Sequence, residues 1–400
     1  SVLVDYAAAN AVLDAFARRK NSEEGVEAVA VNWGPWKEVG MAVETAVRLG
    51  IAPAAMETAA LGTAKPGALA SPAKPGGKPP HPLLERCIAD TDDELAYATE
   101  FELGKFWVLD EHRMRGGDPL LPGTGYLELV RAAFQSRAQD RSVEIRDVFF
   151  MAPFVVRPGE RRVLEIRLKR DGEAYGFVIQ SRPATGAGPL RQHVSGRIAV
   201  SRDGRSEVLA SPALASPAEP GGKPGGSHAI ADILRRCGGR EEVFAAGKPQ
   251  FHFDFGPRWS NLRRINYGSK EAFLTLELPE AFCGDLEHYR LHPALLDLAT
   301  GSAQPLIDGF DESRDLYVPF SYGSLKQFGP LQRKLHSHVR FVENGRSDAE
   351  IAVFNVTLMD EQGRELVRIE EFVMKKLRDQ RMMDAVSLGS DGENAGRLGQ

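Results

Sequence analysis

The sequence predicts an α+β protein: two similar halves, each with one long helix and a curled antiparallel sheet, behind a short α/β stretch. Three observations predict it. Each half shows a single amphipathic helix among several short strands. Turn words such as Arg170-Asp171-Gly172 and Asp360-Glu361-Gln362-Gly363 join successive strands closely enough for hairpins. Between the halves the chain passes through Ala, Pro and Gly, a composition that packs no core. Helices kept apart from antiparallel strands in this way make an α+β layout.

Residues 1–61 read as the α/β stretch. Ala7, Ala8, Ala9, Val12, Leu13 and Phe16 support a helix over residues 1–20. A buried strand, Val26–Val31, then ends at Asn32-Trp33-Gly34-Pro35-Trp36. The opening, SVLVDYAAAN, has no Met and no cleavage site, and reads as a cut from a longer polypeptide. Residues 62–80 form a first Ala/Pro/Gly linker.

In the first half, 81–210, the helix runs from about Pro122 to Arg137 with Tyr126, Leu127, Val130 and Phe134 on its apolar face. Strands are expected at Val143–Phe150, Arg162–Leu168, Ala174–Gln180 and His193–Val200, with a further turn at Arg202-Asp203-Gly204. A second linker, 211–226, shares the words SPA and PGGKP with the first. The second half, 227–378, repeats the plan with a helix near Pro293–Leu306. Its strands fall at Phe273–Leu278, Leu335–Val342, Ile351–Met359 and Leu366–Lys375. The polar, Gly-rich tail, 379–400, is expected to be disordered.

The 400 residues are 42% hydrophobic and 26% charged, enough for a large core without disulfide or metal staples. A net charge of -5, from 50 basic and 55 acidic residues, argues against a nucleic-acid partner or an anionic membrane surface. No apolar run is long enough for a membrane helix. Cys87, Cys237 and Cys283 are isolated and lack metal-ligand spacing, so no metal is expected and a reducing, cytoplasmic setting fits.

Two segments could carry chemistry. In Leu109–Tyr126, His112 sits ahead of a Gly-rich turn that feeds a helix beginning with Pro. There a histidine can take a proton near neutral pH while free amides at the helix start polarise a carbonyl. A loop histidine beside a helix cap would read the same way. In Leu291–Gly301, Asp297 lies among Leu295, Leu296, Leu298 and Ala299, where desolvation would keep a carboxyl protonated as a general acid. An exposed helix Asp is the alternative. His292 reads as structural or capping. The aromatic clusters Phe253–Trp259 and Leu316–Tyr322 read mainly as core.

Together these segments resemble the dehydratase domain of modular and iterative polyketide synthases. HPLLERC resembles its opening strand, and LDEHRMRGGDPLLPGTGYLELVRAAF its histidine motif and helix. FFMAPFVV resembles the next strand, FDFGPRW the Tyr-Gly-Pro motif, LHPALLDLATG the aspartate motif and YVPFSYGSL a late tunnel-lining motif. The match covers about 300 of the 400 residues, with the motifs in family order.

The resemblance implies a double hot-dog fold, two antiparallel sheets each wrapping a long central helix, and pairing as a homodimer. It implies syn- or anti-elimination of water from a 3-hydroxyacyl thioester carried on the phosphopantetheine of an acyl carrier protein. His112 would be the base and Asp297 the acid, with no cofactor or metal for the dehydration itself. Gly116, Gly117, Pro122, Phe255, Gly256, Pro257 and Gly301 would line the site or steady the thioester oxygen.

Three departures from the family pattern stand out. Pro122 comes ten residues after His112 rather than nine, so Gly117 could take the oxyanion role from Gly116. Gly301 stands where the family has Gln or His to orient the carboxyl, and Phe255 replaces Tyr. Either another group holds Asp297 or the activity is altered. Three readings stay open: dehydration, pyran-forming cyclisation or double-bond shift on the same fold, and a non-catalytic structural domain.

Residues 1–61 resemble the C-terminal end of a ketoreductase domain of the short-chain dehydrogenase type. Tyr6 and Asn10 fit its Tyr-xxx-Asn motif, and VNWGPWKEVGM fits the following strand and loop. NADPH would serve only an intact upstream ketoreductase. This domain order resembles some iterative synthases.

Overall fold

A computed structural model describes residues 81–138, 141–186, 190–201, 229–245, 248, 251–342 and 350–377. The expectations for residues 1–80 (Tyr6 and Asn10 among them), for the 211–226 linker, for the Arg202-Asp203-Gly204 turn and for the tail lie outside the described residues.

The first half opens with the strands β1 (Arg86–Asp90) and β2 (Glu94–Phe101), then a short helix α1 (Trp107–Asp110) and strand β3 (His112–Met114). Its main helix α2 (Gly123–Ala138) leads into β4 (Val143–Phe150), β5 (Arg162–Asp171), β6 (Ala174–Pro183) and β7 (Arg191–Val200). The second half runs through α3 (Ile230–Arg236), β8 (Arg240–Val243), β9 (Phe253–Phe255), a 3-10 turn at Pro257–Trp259, β10 (Leu262–Tyr267) and β11 (Glu271–Glu277). Its main helix α4 (Pro293–Gly301) precedes β12 (Leu316–Gln327), β13 (Lys334–Val342), β14 (Ile351–Met359) and β15 (Glu365–Leu377).

The long strands join in one 13-stranded sheet of order β1-β2-β5-β6-β7-β4-β12-β15-β14-β13-β11-β10-β8, antiparallel throughout. The two expected sheets are therefore joined edge to edge, through β4 and β12, with Leu325 opposite Ile145 and Tyr322 opposite Val148. Read outward from this seam, β4-β7-β6-β5 and β12-β15-β14-β13 follow the same order. Each half is one winding of the same motif. Joining them at the seam pairs two strands that would otherwise be open edges.

The strands β4 and β14 have the predicted bounds, and the other predicted strands shift by a few residues at their ends. The pattern missed β2, β3, β8, β9, β10 and β12, the last because Leu316–Tyr322, with Pro319 inside it, read as an aromatic cluster. The strand accommodates the proline with a register shift between Pro319 and Ser321. The expected opening strand begins later: His81 and Leu84 bridge a turn, and β1 starts at Arg86. The helix expected to reach Leu306 ends at Gly301, and a separate 3-10 turn covers Gln304–Leu306. Gly301 favours the stop, and Pro305 has no N–H to continue the ladder.

The helix α2 is enclosed, not half-exposed. Every residue from Thr124 to Phe134 is buried, including Glu128 and Arg131, which lie on the polar side of the predicted stripe. Their charges are accommodated because they pair. Arg131 Nε donates to Glu128 Oε2 and its NH2 group to Oε1, both at 2.8 Å. The same carboxylate faces His81 Nε2 at 3.1 Å and accepts the amides of Arg290 and Leu291. Glu128 thus ties α2 to the strand of chain entering α4. The helices also meet at their N-terminal ends, where Thr124 Oγ1 donates to the Pro293 carbonyl at 3.0 Å.

Candidate active site

His112 is joined to the start of α2 by a turn fixed by glycine. Gly117 N donates to Met114 O, and Gly116, the third residue of that turn, takes φ +69, a sign glycine adopts without penalty. Beyond the turn the chain folds back, and Leu120 N donates to His112 O at 3.0 Å. The extra residue is absorbed in this loop, and Pro122 stands immediately before α2. The Gly117 amide is already used within the turn, so it is not free to hold a thioester oxygen.

The strand β3 pairs with β9, placing His112 opposite Phe255. Gly256 follows, and it has to be glycine: a Cβ there would lie 2.2 Å from Glu111 Cγ. That close approach lets Gly256 N donate to Glu111 O at 2.8 Å. Pro257 opens the 3-10 turn that carries Trp259 inward. Arg258 pairs with the Glu111 carboxylate and donates from Nε to Asp285 Oδ2 at 2.6 Å. Asp285 lies 3.5 Å from His292 Nε2, and His292 caps α4 by accepting from Leu295 N. Asn261 Nδ2 donates to the Ala294 carbonyl at 3.0 Å. This network registers the residue before His112, the Trp259 turn and the first turn of α4 against one another.

Within that frame His112 Nε2 lies 3.9 Å from Asp297 Oδ2. His112 Nδ1 is 2.9 Å from the Leu120 carbonyl. A carbonyl only accepts, so Nδ1 carries the hydrogen and Nε2 presents its lone pair toward Asp297. The ring is packed by Phe255 at 5.4 Å, Phe253 at 5.1 Å and Trp259 at 5.5 Å between centroids. Burial pushes the imidazole below its ordinary value, and the Asp297 charge and the Leu120 hydrogen bond only partly oppose this. Burial likewise pushes the Asp297 carboxyl up, against the pull of His112 and of the Trp259 N–H. Both groups are driven toward their uncharged forms.

Of the expected site residues, His112, Phe255 and Asp297 come together, and Gly256 and Pro257 shape the approach of Trp259. Gly301 has nothing within 4 Å of a Cβ built on it, so the position of the missing orienting residue is open space. Asp297 is nevertheless partnered. Trp259 Nε1 donates to its Oδ2 at 2.8 Å, a contact missed because Trp259 read as core. A signal was present, since a buried indole N–H needs an acceptor and Asp297 lacked a donor.

Residues 81–182 match the family model "Polyketide synthase dehydratase domain", and residues 248–384 match "Polyketide synthase dehydratase N-terminal domain". Residues 2–38 match the KR domain. Polyketide synthase PksM of Bacillus subtilis is 23% identical over 74% of this chain, which spans 7% of that protein. Pikromycin polyketide synthase component PikAII of Streptomyces venezuelae is 29% identical over 57% of this chain, which spans 6% of it. Among solved structures, a trans-AT polyketide synthase dehydratase domain from Brevibacillus brevis superposes with a TM-score of 0.61 at 19% identity. That match covers 74% of this chain and 98% of the other. The dehydratase domain from the CurF module of Curacin polyketide synthase gives 0.59 at 21% identity, with 74% and 99% covered. Both likenesses lie in the fold.

Proposed function

The chain belongs to the polyketide synthase dehydratase family, with a ketoreductase-family segment ahead of it, and from that premise we propose that His112 and Asp297 remove water from a 3-hydroxyacyl thioester. The observation that carries the reading is the imidazole 3.9 Å from the carboxyl across the junction of the two halves, with burial pushing each toward its uncharged form. His112 Nε2 takes the α-proton, which the thioester carbonyl acidifies. Asp297 protonates the departing β-hydroxyl, and water leaves as the double bond forms. The pair ends as imidazolium and carboxylate, each stabilising the charge just created on the other. Returning the proton from His112 to Asp297 restores the starting state. At the start of α2 the Gly125 amide is given to the Pro122 carbonyl, so the amides of Gly123 and Thr124 support the thioester oxygen in place of Gly117, whose amide is engaged.

On this reading residues 81–210 and 227–378 are the halves of one dehydratase domain, with 62–80 and 211–226 as linkers. The substrate arrives on the phosphopantetheine of an acyl carrier protein within a larger synthase, and two copies of the domain pair. One solved dehydratase of the same fold, CurK, is described in two inactive mutants, one changed from His to Phe and one from Asp to Asn, the residue types of this pair. Cyclisation or double-bond shift was motivated by the missing orienting residue at 301, and the Trp259 contact removes that motive.

The test is direct. The purified chain is incubated with a 3-hydroxyacyl-pantetheine thioester, and loss of one water is followed by mass. His112→Ala and Asp297→Asn should each lower turnover by about a thousandfold. Full activity in either variant, or none in the unaltered chain with any acyl length, defeats the reading.

A further inference from the structure

We propose that Trp259 is the positioning residue of Asp297, holding its proton on Oδ1 and so keeping the acid from being quenched by the base beside it. The inference rests on the acid role given to Asp297 above. Trp259 is buried, and its indole N–H can only donate, so Oδ2 is fixed as an acceptor. The proton of the neutral carboxyl is thereby confined to Oδ1. This matters because His112 Nε2 sits 3.9 Å from that same Oδ2. A proton on Oδ2 would point at the free imidazole lone pair, and acid and base would neutralise each other without substrate. With Oδ2 occupied by the indole, the proton is directed away from the base and toward the leaving group.

The helix that carries Asp297 does not provide this donor. Gly301 lies one turn after Asp297, on the same face of α4, where a longer side chain could reach the carboxyl. It has no side chain, and a Cβ there would meet nothing within 4 Å. The donor comes instead from the 3-10 turn, where Trp259 is held by Phe255 at 5.5 Å and Trp107 at 6.1 Å. The segment is anchored to α4 through Asn261. The titratable groups that face Asp297 are His112 from β3 and Tyr322 from β12, whose buried hydroxyl stays protonated.

The experiment uses the full chain and the substitutions Trp259→Phe, Gly301→Gln and the two combined. Trp259→Phe keeps an aromatic ring and loses the N–H. It should lower kcat about tenfold with KM little changed, the rate equivalent of one hydrogen bond to a carboxyl. It should also move the alkaline limb of the kcat–pH profile upward, because a donor favouring the carboxylate is gone. Adding Gly301→Gln, with its amide donor one turn from Asp297, should recover most of the lost rate and bring the limb back. A lower kcat with an unmoved limb would mark Trp259 as packing alone and overturn the proposal, as would failure of the glutamine to rescue.

Infrared spectroscopy supplies a readout that needs no turnover and no Trp259 variant. The protonated Asp297 carbonyl band, identified by its loss in Asp297→Asn, should lie at the lower frequency of a hydrogen-bonded acid. A free-acid frequency in the unaltered chain also overturns the proposal. An inactive chain with the bonded band would instead defeat the dehydratase reading and leave the Trp259 contact standing.

Discussion

At the scale of the residue, the proposed chemistry depends on two side chains being wrong for water. In solvent an aspartate is ionised and a histidine is partly charged at neutral pH. Enclosure shifts each toward neutrality, and the Leu120 carbonyl decides which imidazole nitrogen is free. The sign of each shift sets a pH profile. Activity should fall on the acid side as His112 protonates, with that limb below its ordinary value of 6.5 because burial disfavours the cation. It should fall on the alkaline side as Asp297 ionises, with that limb above the ordinary 3.8 because burial disfavours the anion. Measuring kcat/KM against pH checks both limbs. An alkaline side that stays flat in the unaltered chain, with no fall at all, would remove Asp297 as the acid.

At the scale of the element, the two long helices are not interchangeable with ordinary surface helices. The helix α2 is wrapped on all sides, so its two charges must be satisfied internally, and Glu128 does so while tying α2 to the approach to α4. Burial alone would raise the Glu128 carboxyl, but Arg131 and His81 hold it down at about 2, against an ordinary 4.5. A depressed carboxyl contributes stability that is present above its unfolded value and lost as pH falls from there toward about 2. Glu128→Ala should therefore cost about 3–5 kcal/mol at neutral pH, since it strands the buried Arg131. The cost should shrink on acidification, where the unaltered chain has already lost part of the same contribution. Urea unfolding at neutral pH and near pH 3 compares the two, and an equal cost at both would show that Glu128 acts through packing, not charge.

At the scale of the whole molecule, one site is assembled from both halves. His112 comes from the first, Asp297 and Trp259 from the second, and the β4–β12 seam joins the sheets into one. Separately produced fragments 81–210 and 227–378 should each be inactive and expose a seam edge. Produced together, they should associate along that edge and recover turnover in the thioester assay. Dehydration by either fragment alone would show that the site does not need the junction.

The positions of the two main helices, the positions of eight strands and the two candidate residues His112 and Asp297 could be read in the sequence. Hydrophobic period and turn chemistry are local, and a histidine before a Gly-rich turn or an aspartate in an apolar helix is a local anomaly. Even the absence of a partner at Gly301 could be read, since it lies one helical turn from Asp297. What replaces that partner was not legible. Trp259 lies 38 residues from Asp297 and reaches it only because Gly256 passes against Glu111 and Arg258 and Asn261 bind the turn in place. The continuous sheet, the engaged Gly117 amide and the full enclosure of α2 belong to the same class. Each depends on how distant segments meet, and a local pattern records what a segment can bury but not which neighbour buries it.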